Sequence, residues 1–234
     1  MKTDYKDNKR EFVYQMFNRI AGDYDLVNQV ISLGSNKKIK ERVVENVTLE
    51  SGSNILDVCT GTGDLAINLA KYSDKNYKII GIDFSENMIK LAEEKAKEFN
   101  NIKFIQGDAL KLPFEDETFD ACFIGYGLRN LEDLRKGILE MKRVTKKGGY
   151  VTSLDMGKPK GFTNTLFRLY FDNFVPLFGK ILHGNSVPYK YFPDSSKTFP
   201  SQEELVEIFK ELGFSEVKNY DYAFGAIAQQ IAKV

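Results

Sequence analysis

Residues Asn54-Ile55-Leu56-Asp57-Val58-Cys59-Thr60-Gly61-Thr62-Gly63-Asp64-Leu65 decide how the rest of the chain is read. The stretch begins as an apolar run that reads as a buried strand. Two glycines one residue apart then turn the chain, and an apolar-periodic helical segment follows. Strand, Gly-rich turn and helix start form the front half of a nucleotide-binding α/β unit. Glycine allows the tight turn and a close ligand, because no Cβ intervenes. A dinucleotide fingerprint would place its third glycine at position 66, where this chain has Ala66, which the fingerprint tolerates. Charge separates the readings better. Asp57 lies just before the turn and Asp64 just after it. Both would repel a pyrophosphate and suit a ligand with an ammonium group. S-adenosylmethionine carries an ammonium and a sulfonium and no phosphate. A plain βα turn with an acidic helix start explains the same residues without a ligand, so the flanking chain has to decide.

Outward toward the C-terminus, residues 64–71 read as the first helix and 77–83 as a second strand ending at Asp83. A carboxylate there takes both ribose hydroxyls in nucleotide-binding α/β folds, because it accepts two hydrogen bonds. Ser85 N-caps a helix running to about residue 99, with Met88, Ile89 and Ala92 toward the sheet and Met88 read as core. Residues 102–107 form a third strand that ends in Asp108-Ala109. That carboxylate suits an adenine amine, and the following N–H suits a ring nitrogen. Strand 119–124 leads into Gly125-Tyr126-Gly127-Leu128-Arg129-Asn130. A helix over 131–144, a turn at 146–149 and a strand over 150–155 follow. Asp57, Asp83 and Asp108 thus share the carboxyl edge, where open α/β sheets bind ligands. Three carboxylates there, with no basic residue in the first loop, favour an adenosine ligand lacking phosphate.

Outward toward the N-terminus, residues 1–10 read as a frayed tail, and 11–20, 26–33 and 37–47 as helices, with Gly34 a C-cap. Residues 1–48 are a helical cap on the sheet or, with Tyr24 and Asp25 turned to the ligand, a lid. Residues 157–200 break the βα rhythm and are rich in aromatics, with a helix over 163–174. They either close the sheet edge or form an apolar substrate cover. Ser201 and Glu204 make a capping box for a helix over 201–212, ended by Gly213, and 215–221 and 222–234 read as closing strands. The whole of 1–234 is one α/β domain.

Composition excludes several classes. Lys+Arg and Asp+Glu are equal at 33 each, so no basic excess points to nucleic acid. The two cysteines, Cys59 and Cys122, fall inside strands, so packing rather than a disulfide is expected, in a cytoplasmic compartment. A single histidine, His183, and two cysteines without ligand spacing give no metal site. No apolar run reaches the roughly 20 residues of a membrane span, and residues 1–10 lack a signal-peptide core.

The chain resembles a known family, the ubiquinone/menaquinone biosynthesis C-methyltransferases. The matching pieces are Met16-Phe17-x-x-Ile20-Ala21-x-x-Tyr24-Asp25-x-x-Asn28, Leu56-Asp57-x-x-Thr60-Gly61-Thr62-Gly63-Asp64-Leu65, Gly81-Ile82-Asp83-x-Ser85, Asp108-Ala109-x-x-Leu112-Pro113-Phe114, Gly127-Leu128-Arg129-Asn130 and the turn from Arg143-Val144 to Gly149. The resemblance implies a Rossmann-like class I methyltransferase fold. Its sheet has seven mostly parallel strands with an antiparallel C-terminal strand, and a helical cap and lid insertion surround it. It also implies methyl transfer from S-adenosylmethionine to a ring carbon of a polyprenylated quinol, with demethylmenaquinol to menaquinol the first choice. By position, Asp57, Gly61, Thr62, Gly63, Asp83, Asp108, Ala109 and Gly125 would hold the cofactor. Two departures stand out. The family often has Ser-Phe-Gly-Leu-Arg-Asn where this chain has Gly125-Tyr126-Gly127-Leu128-Arg129-Asn130. Asp155-Met156-Gly157-Lys158-Pro159 replaces a common Glu-Phe-Ser-Lys-Pro, and the shorter acid reaches less far.

Such a reaction needs electron density at carbon, supplied by an ionised quinol oxygen held in line with the methyl. Arg129, a permanent cation, would stabilise the phenolate, and Asn130 would bond the second ring oxygen. Tyr24 and Asp155 would orient the quinol or relay its proton. The alternative for Arg129 is an ion pair with Glu132, Asp133 or a sheet-edge carboxylate. His183 reads as a surface residue. A polyprenyl tail along the aromatic insertion would bring the protein to a membrane surface as a peripheral contact. Oligomeric state stays open, a homodimer included. So do another small acceptor, a dinucleotide-dependent oxidoreductase and a catalytically silent adenosyl-binding module.

Overall fold

The computed structural model describes residues 8–32, 34–72, 76–183 and 187–234. The expectation for residues 1–7 and that for the His183 side chain lie outside what it describes. Among the described residues one sheet contains β1 (Asn54–Val58), β2 (Lys78–Asp83), β3 (Ile102–Gln106), β4 (Phe119–Gly125), β5 (Thr145–Met156), β6 (Glu216–Tyr222) and β7 (Ile227–Lys233). The strand order is β3-β2-β1-β4-β5-β7-β6. β1 to β5 pair in parallel, whereas β7 runs antiparallel to both β5 and β6. Central β1 is buried on both faces, which is why its sequence is a continuous apolar run. Strand order reverses between β1 and β4, so the carboxyl ends of these two strands open a crevice.

The helices that return the chain to the sheet are α4 (Asp64–Tyr72), α5 (Glu86–Lys95), α6 (Leu134–Val144) and α9 (Gln202–Glu211). Ser85 caps α5, and the Ser201–Glu204 capping box opens α9 as expected. α6 starts later than the expected residue 131, because Asp133 is its N-cap and residues Leu128–Asn130 form a separate 3-10 turn. α5 ends at Lys95, short of residue 99. β5 begins at Thr145, not at 150. The pairing shifts register between Phe119 and Ala121, so the 146–149 stretch is absorbed as an irregularity within the strand. A 3-10 turn, Ala223–Gly225, separates the closing strands, which do not abut at residue 222.

The two additions to the βα frame meet in space. α1 (Lys9–Ile20), α2 (Tyr24–Ile31) and α3 (Ser35–Glu45) come from the N-terminus; α7 (Gly161–His183) and α8 (Val187–Thr198) come from the insertion. α1 begins earlier than expected, since Asn8 Oδ1 accepts from the Glu11 N–H at 3.1 Å. α7 is much longer than 163–174 and carries Pro176 inside it. Phe12, Val13, Met16, Phe17 and Ile20 of α1 share one buried cluster with Phe171 and Val175 of α7 and Tyr189, Tyr191 and Phe192 of α8. Each buried Phe ring stabilises this cover by about 1.5–3 kcal/mol.

Candidate active site

The β1–α4 loop is shaped by three left-handed residues, Cys59, Gly61 and Gly63. The two glycines serve different ends. A Cβ on Gly63 would meet Phe104 Cζ at 2.9 Å and the Ala92 Cβ at 3.1 Å, so this glycine lets the loop pack on β3 and α5. A Cβ on Gly61 would find nothing nearer than Tyr24 Cε1 at 3.8 Å, and Gly61 faces open space. Asp83, at the end of β2, ties the loop down. Its Oδ2 accepts from the Gly61 N–H and its Oδ1 from the Ser85 N–H, each at 2.9 Å. Burial pushes the Asp83 carboxyl up to about 6.

Asp57 lies behind the loop, 1% exposed. Its Oδ2 accepts from the Thr60 hydroxyl at 2.5 Å and the Ala66 N–H at 3.2 Å, while its Oδ1 has no partner. Burial raises this carboxyl to about 7. Asp64 does not face the ligand side, contrary to the charge reading of the sequence. It pairs with Lys40 at 2.9 Å and with Lys95, and these two lysines outweigh burial to hold its pKa low. Lys95 also reaches Asp25 at 2.7 Å, and Asp25 accepts the Thr62 hydroxyl at 2.7 Å. A chain of polar side chains thus fastens α2, α3 and α5 to the outside of the loop. Asp25 and Thr62 are engaged in that latch.

The crevice between β1 and β4 opens into a cavity. Gly61, Asp83, Phe84, Asp108, Ala109 and Gly125 form its sheet side, and Val13, Phe17 and Tyr24 roof it. Asp108 Oδ1 accepts from the Leu110 N–H at 2.9 Å, and its Oδ2 pairs with Arg10 at 2.8 Å. Of the residues assigned to a cofactor, Gly61, Asp83, Asp108, Ala109 and Gly125 converge on this space. Asp57, Thr62 and Gly63 support it from behind. Met88 lines it too and, 1% exposed, packs in the buried cluster as its core reading expects. Cys59, Arg10 and Tyr126 were missed. Asn8 three residues before Glu11 was the available cap signal that residues 9 and 10 are helical.

Tyr24 and Asn130 border the same cavity; Arg129 and Asp155 lie beside it. Arg129 forms an ion pair with Asp155, with side chains 8% and 1% exposed, and its backbone N–H donates to Asp155 Oδ2 at 3.2 Å. The sheet-edge ion pair that was the alternative for Arg129 is therefore present. The Arg129 Nε–H has no partner. Asn130 is spoken for on both sides: its Nδ2 donates to the Tyr126 carbonyl at 2.8 Å, and its Oδ1 accepts from the Tyr191 hydroxyl at 3.1 Å. Lys9 Nζ donates to the carbonyls of Arg129 at 2.9 Å and Leu131 at 2.7 Å, fastening α1 to this turn. Burial raises the pKa of Tyr24, whose ring meets Phe17 edge-on. Tyr126 sits at φ +58°, a strained value for a bulky residue, with its ring 5.4 Å from the Arg129 guanidinium. A second cavity is lined by Tyr126 and Arg129 together with residues of α2, α3, α7 and α8.

The model of the ubiE/COQ5 methyltransferase family matches residues 2–233. The demethylmenaquinone methyltransferase of Desulfitobacterium hafniense is 43% identical over 226 residues, spanning 94% of this chain and 89% of the relative. The enzyme of the same name from Bacillus subtilis is 38% identical over 230 residues, spanning 97% and 98%. Among solved structures, a SAM-dependent methyltransferase from Thermotoga maritima superposes with a TM-score of 0.68 at 20% identity, covering 94% of this chain and 99% of that one. Another from Aquifex aeolicus gives 0.63 at 22% identity, covering 88% and 97%. At such identities the structures attest the fold.

Proposed function

The chain belongs to the ubiE/COQ5 methyltransferase family, and from that premise we propose that it transfers the methyl of S-adenosylmethionine to a ring carbon of a polyprenylated quinol, converting demethylmenaquinol to menaquinol. The observation that carries this is the meeting of two cavities at Tyr126, one edged by Asp83 and Asp108 and the other apolar. The first cavity fits the cofactor. It has a Cβ-free approach at Gly61, carboxylates at two strand ends and the apolar flank of Met88. When bound, S-adenosylmethionine supplies an electrophilic methyl on a cationic sulfur. Asp83 in its ionised form accepts the ribose hydroxyls, and Asp108 with the Ala109 N–H reads the adenine edge. Val13, Phe17 and Tyr24 exclude water above them. The quinol reacts as its mono-anion, one hydroxyl proton having passed to solvent. Arg129, oriented by Asp155, holds that charge, which makes the ring carbon nucleophilic. After the C–CH3 bond replaces the S–CH3 bond, the ring carbon's proton leaves and the hydroxyl is restored. Tyr24 on the roof keeps the ring aligned, while Asn130 holds the Tyr126 carbonyl and the Tyr191 hydroxyl in place.

α1–α3 and α7–α8 act as the cover. α7 has two unlike faces. Phe167, Tyr170 and Phe171 line the second cavity, while Phe162, Leu166, Leu169 and Leu177 are exposed at helical spacing. Phe224, 88% exposed, sits next to Ala223 on the cavity wall. No helix among the described residues is long and apolar enough to cross a membrane. The apolar rim instead lies on the leaflet from which a polyprenyl tail enters. Labelled S-adenosylmethionine offered with demethylmenaquinol and with a demethoxy-ubiquinol precursor tests the reaction. Label in menaquinol is expected, and label in neither quinol overturns it. Leu166→Glu with Leu169→Glu should abolish flotation with liposomes while a short-tailed quinol is still methylated.

A further inference from the structure

We propose that the second cavity is the ring site for the acceptor and that Asn36 and Arg129 select the quinol, as its mono-anion, over the quinone. This deepens the function proposed above and rests on it. Two buried polar atoms lacking any partner, Asn36 Oδ1 and Arg129 Nε, belong to residues lining this one space. Asn36 is 9% exposed and the Arg129 side chain 8%. Buried polar groups are normally hydrogen-bonded, so two orphans on residues lining one cavity mark where a ligand's polar atoms go. Their chemistry is complementary. Asn36 Oδ1 accepts a proton donor, and the Arg129 Nε–H donates to an acceptor. Between them the wall is apolar, with Met156, Phe167, Phe171 and Phe192.

A flat aromatic ring with one hydroxyl and one anionic oxygen satisfies both atoms at once. The hydroxyl donates to Asn36, and the phenolate accepts from Arg129, whose charge favours it. A quinone has two acceptor oxygens and leaves Asn36 Oδ1 unpaired unless the amide turns its Nδ2 inward. Asn130, the sequence candidate for the second ring oxygen, has both amide atoms engaged and gives way to Asn36. Asn36 is positioned by the first turn of α3, its N–H held by the Ser32 hydroxyl at 3.3 Å. Tyr126 faces both cavities, so the ring stands next to the cofactor.

The test is anaerobic calorimetry with a short-tailed demethylnaphthoquinol and its quinone, on protein saturated with S-adenosylhomocysteine. Wild type should bind the quinol about 100-fold tighter than the quinone, as sites built around a ligand hydroxyl reject analogues lacking it. Asn36→Leu should bind the two alike, while its S-adenosylhomocysteine affinity, which reports folding, stays within about two-fold. Ala226→Phe, which fills the chamber from the β7 side, should lose both ring ligands and keep S-adenosylhomocysteine. An Asn36→Leu protein that retains the wild-type preference, or an Ala226→Phe protein that binds quinol normally, overturns the assignment and leaves the methyl transfer intact. Absence of methyl transfer to any quinol in wild type removes the underlying function instead.

Discussion

The two cavities that meet at Tyr126 are built by opposite means. The cofactor cavity is made of strand ends. Asp83 and Gly125 are the last residues of β2 and β4, Asp108 lies two residues past the end of β3, and backbone N–H groups fix both carboxylates. The second cavity has no such frame. Asn36 comes from α3, Phe171 from α7, Phe192 from α8 and Ala226 from the turn before β7. Side-chain contacts bring them together: apolar packing, with the Tyr170 hydroxyl on the Ile31 carbonyl and Arg168 on Ser196. A cavity of the first kind tolerates little change in its few polar groups. One of the second kind can be reshaped wall by wall, and on the function proposed above that is where acceptor choice would reside.

The sharpest way to break this contrast is at Arg129. Arg129→Met leaves Asp155 buried and unpaired and should cost about 3–5 kcal/mol of stability, read by urea denaturation. Arg129→Met with Asp155→Leu should recover most of that stability yet stay inactive, with S-adenosylhomocysteine affinity near wild type. Restored turnover in the double variant would reduce the pair to a structural tie. Next in size is Asp83→Ala. It strips a carboxylate from the Gly61 and Ser85 N–H groups and from the ribose, and should weaken S-adenosylhomocysteine by about 3 kcal/mol, on the order of 100-fold. Equal loss of quinol binding would show that the cavities are not separate structures.

Acidity gives a gentler probe. Burial raises the Asp83 carboxyl from the ordinary 3.8 to about 6, and the ribose hydroxyls need the ionised form. Affinity for S-adenosylhomocysteine should therefore be full above pH 6 and fall as pH drops through it, about tenfold between pH 7 and pH 5. Asp83→Asn should remove the step at pH 6. A wild-type profile flat across that range would separate Asp83 from the ligand. The smallest effect belongs to the polar latch. Lys95 and Asp25 are partly exposed, so Asp25→Ala should cost less than about 1 kcal/mol in stability while speeding release of S-adenosylhomocysteine in stopped flow.

The same contrast explains what was legible in the sequence. Strand ends announce themselves locally, so the βα frame, the capping box at Ser201 and the edge aspartates Asp83 and Asp108 were readable in order. The place of Asp64 was not. Lys40 and Lys95 are far from it in sequence, and only packing of α3 and α5 on the loop turns its charge inward to them. Asn36 looked like an ordinary polar residue at a helix start, because its unmatched oxygen exists only once α7 and α8 have closed the chamber. Positive φ at Cys59 and Tyr126 left no mark, since neither residue type advertises the left-handed region. The length of α7 was hidden by Pro176, which reads as a stop in a single sequence.

Tyr126 carries one further consequence. A single ring faces both cavities, so the state of one is felt by the other through the same rotamer. Thermodynamic linkage makes that influence symmetric: whatever factor the bound cofactor adds to quinol affinity, the quinol adds to cofactor affinity. Spent cofactor and methylated product then act on each other by the same rule. A Tyr126 variant that shrinks the ring should therefore change both couplings by the same factor, whatever it does to each affinity alone.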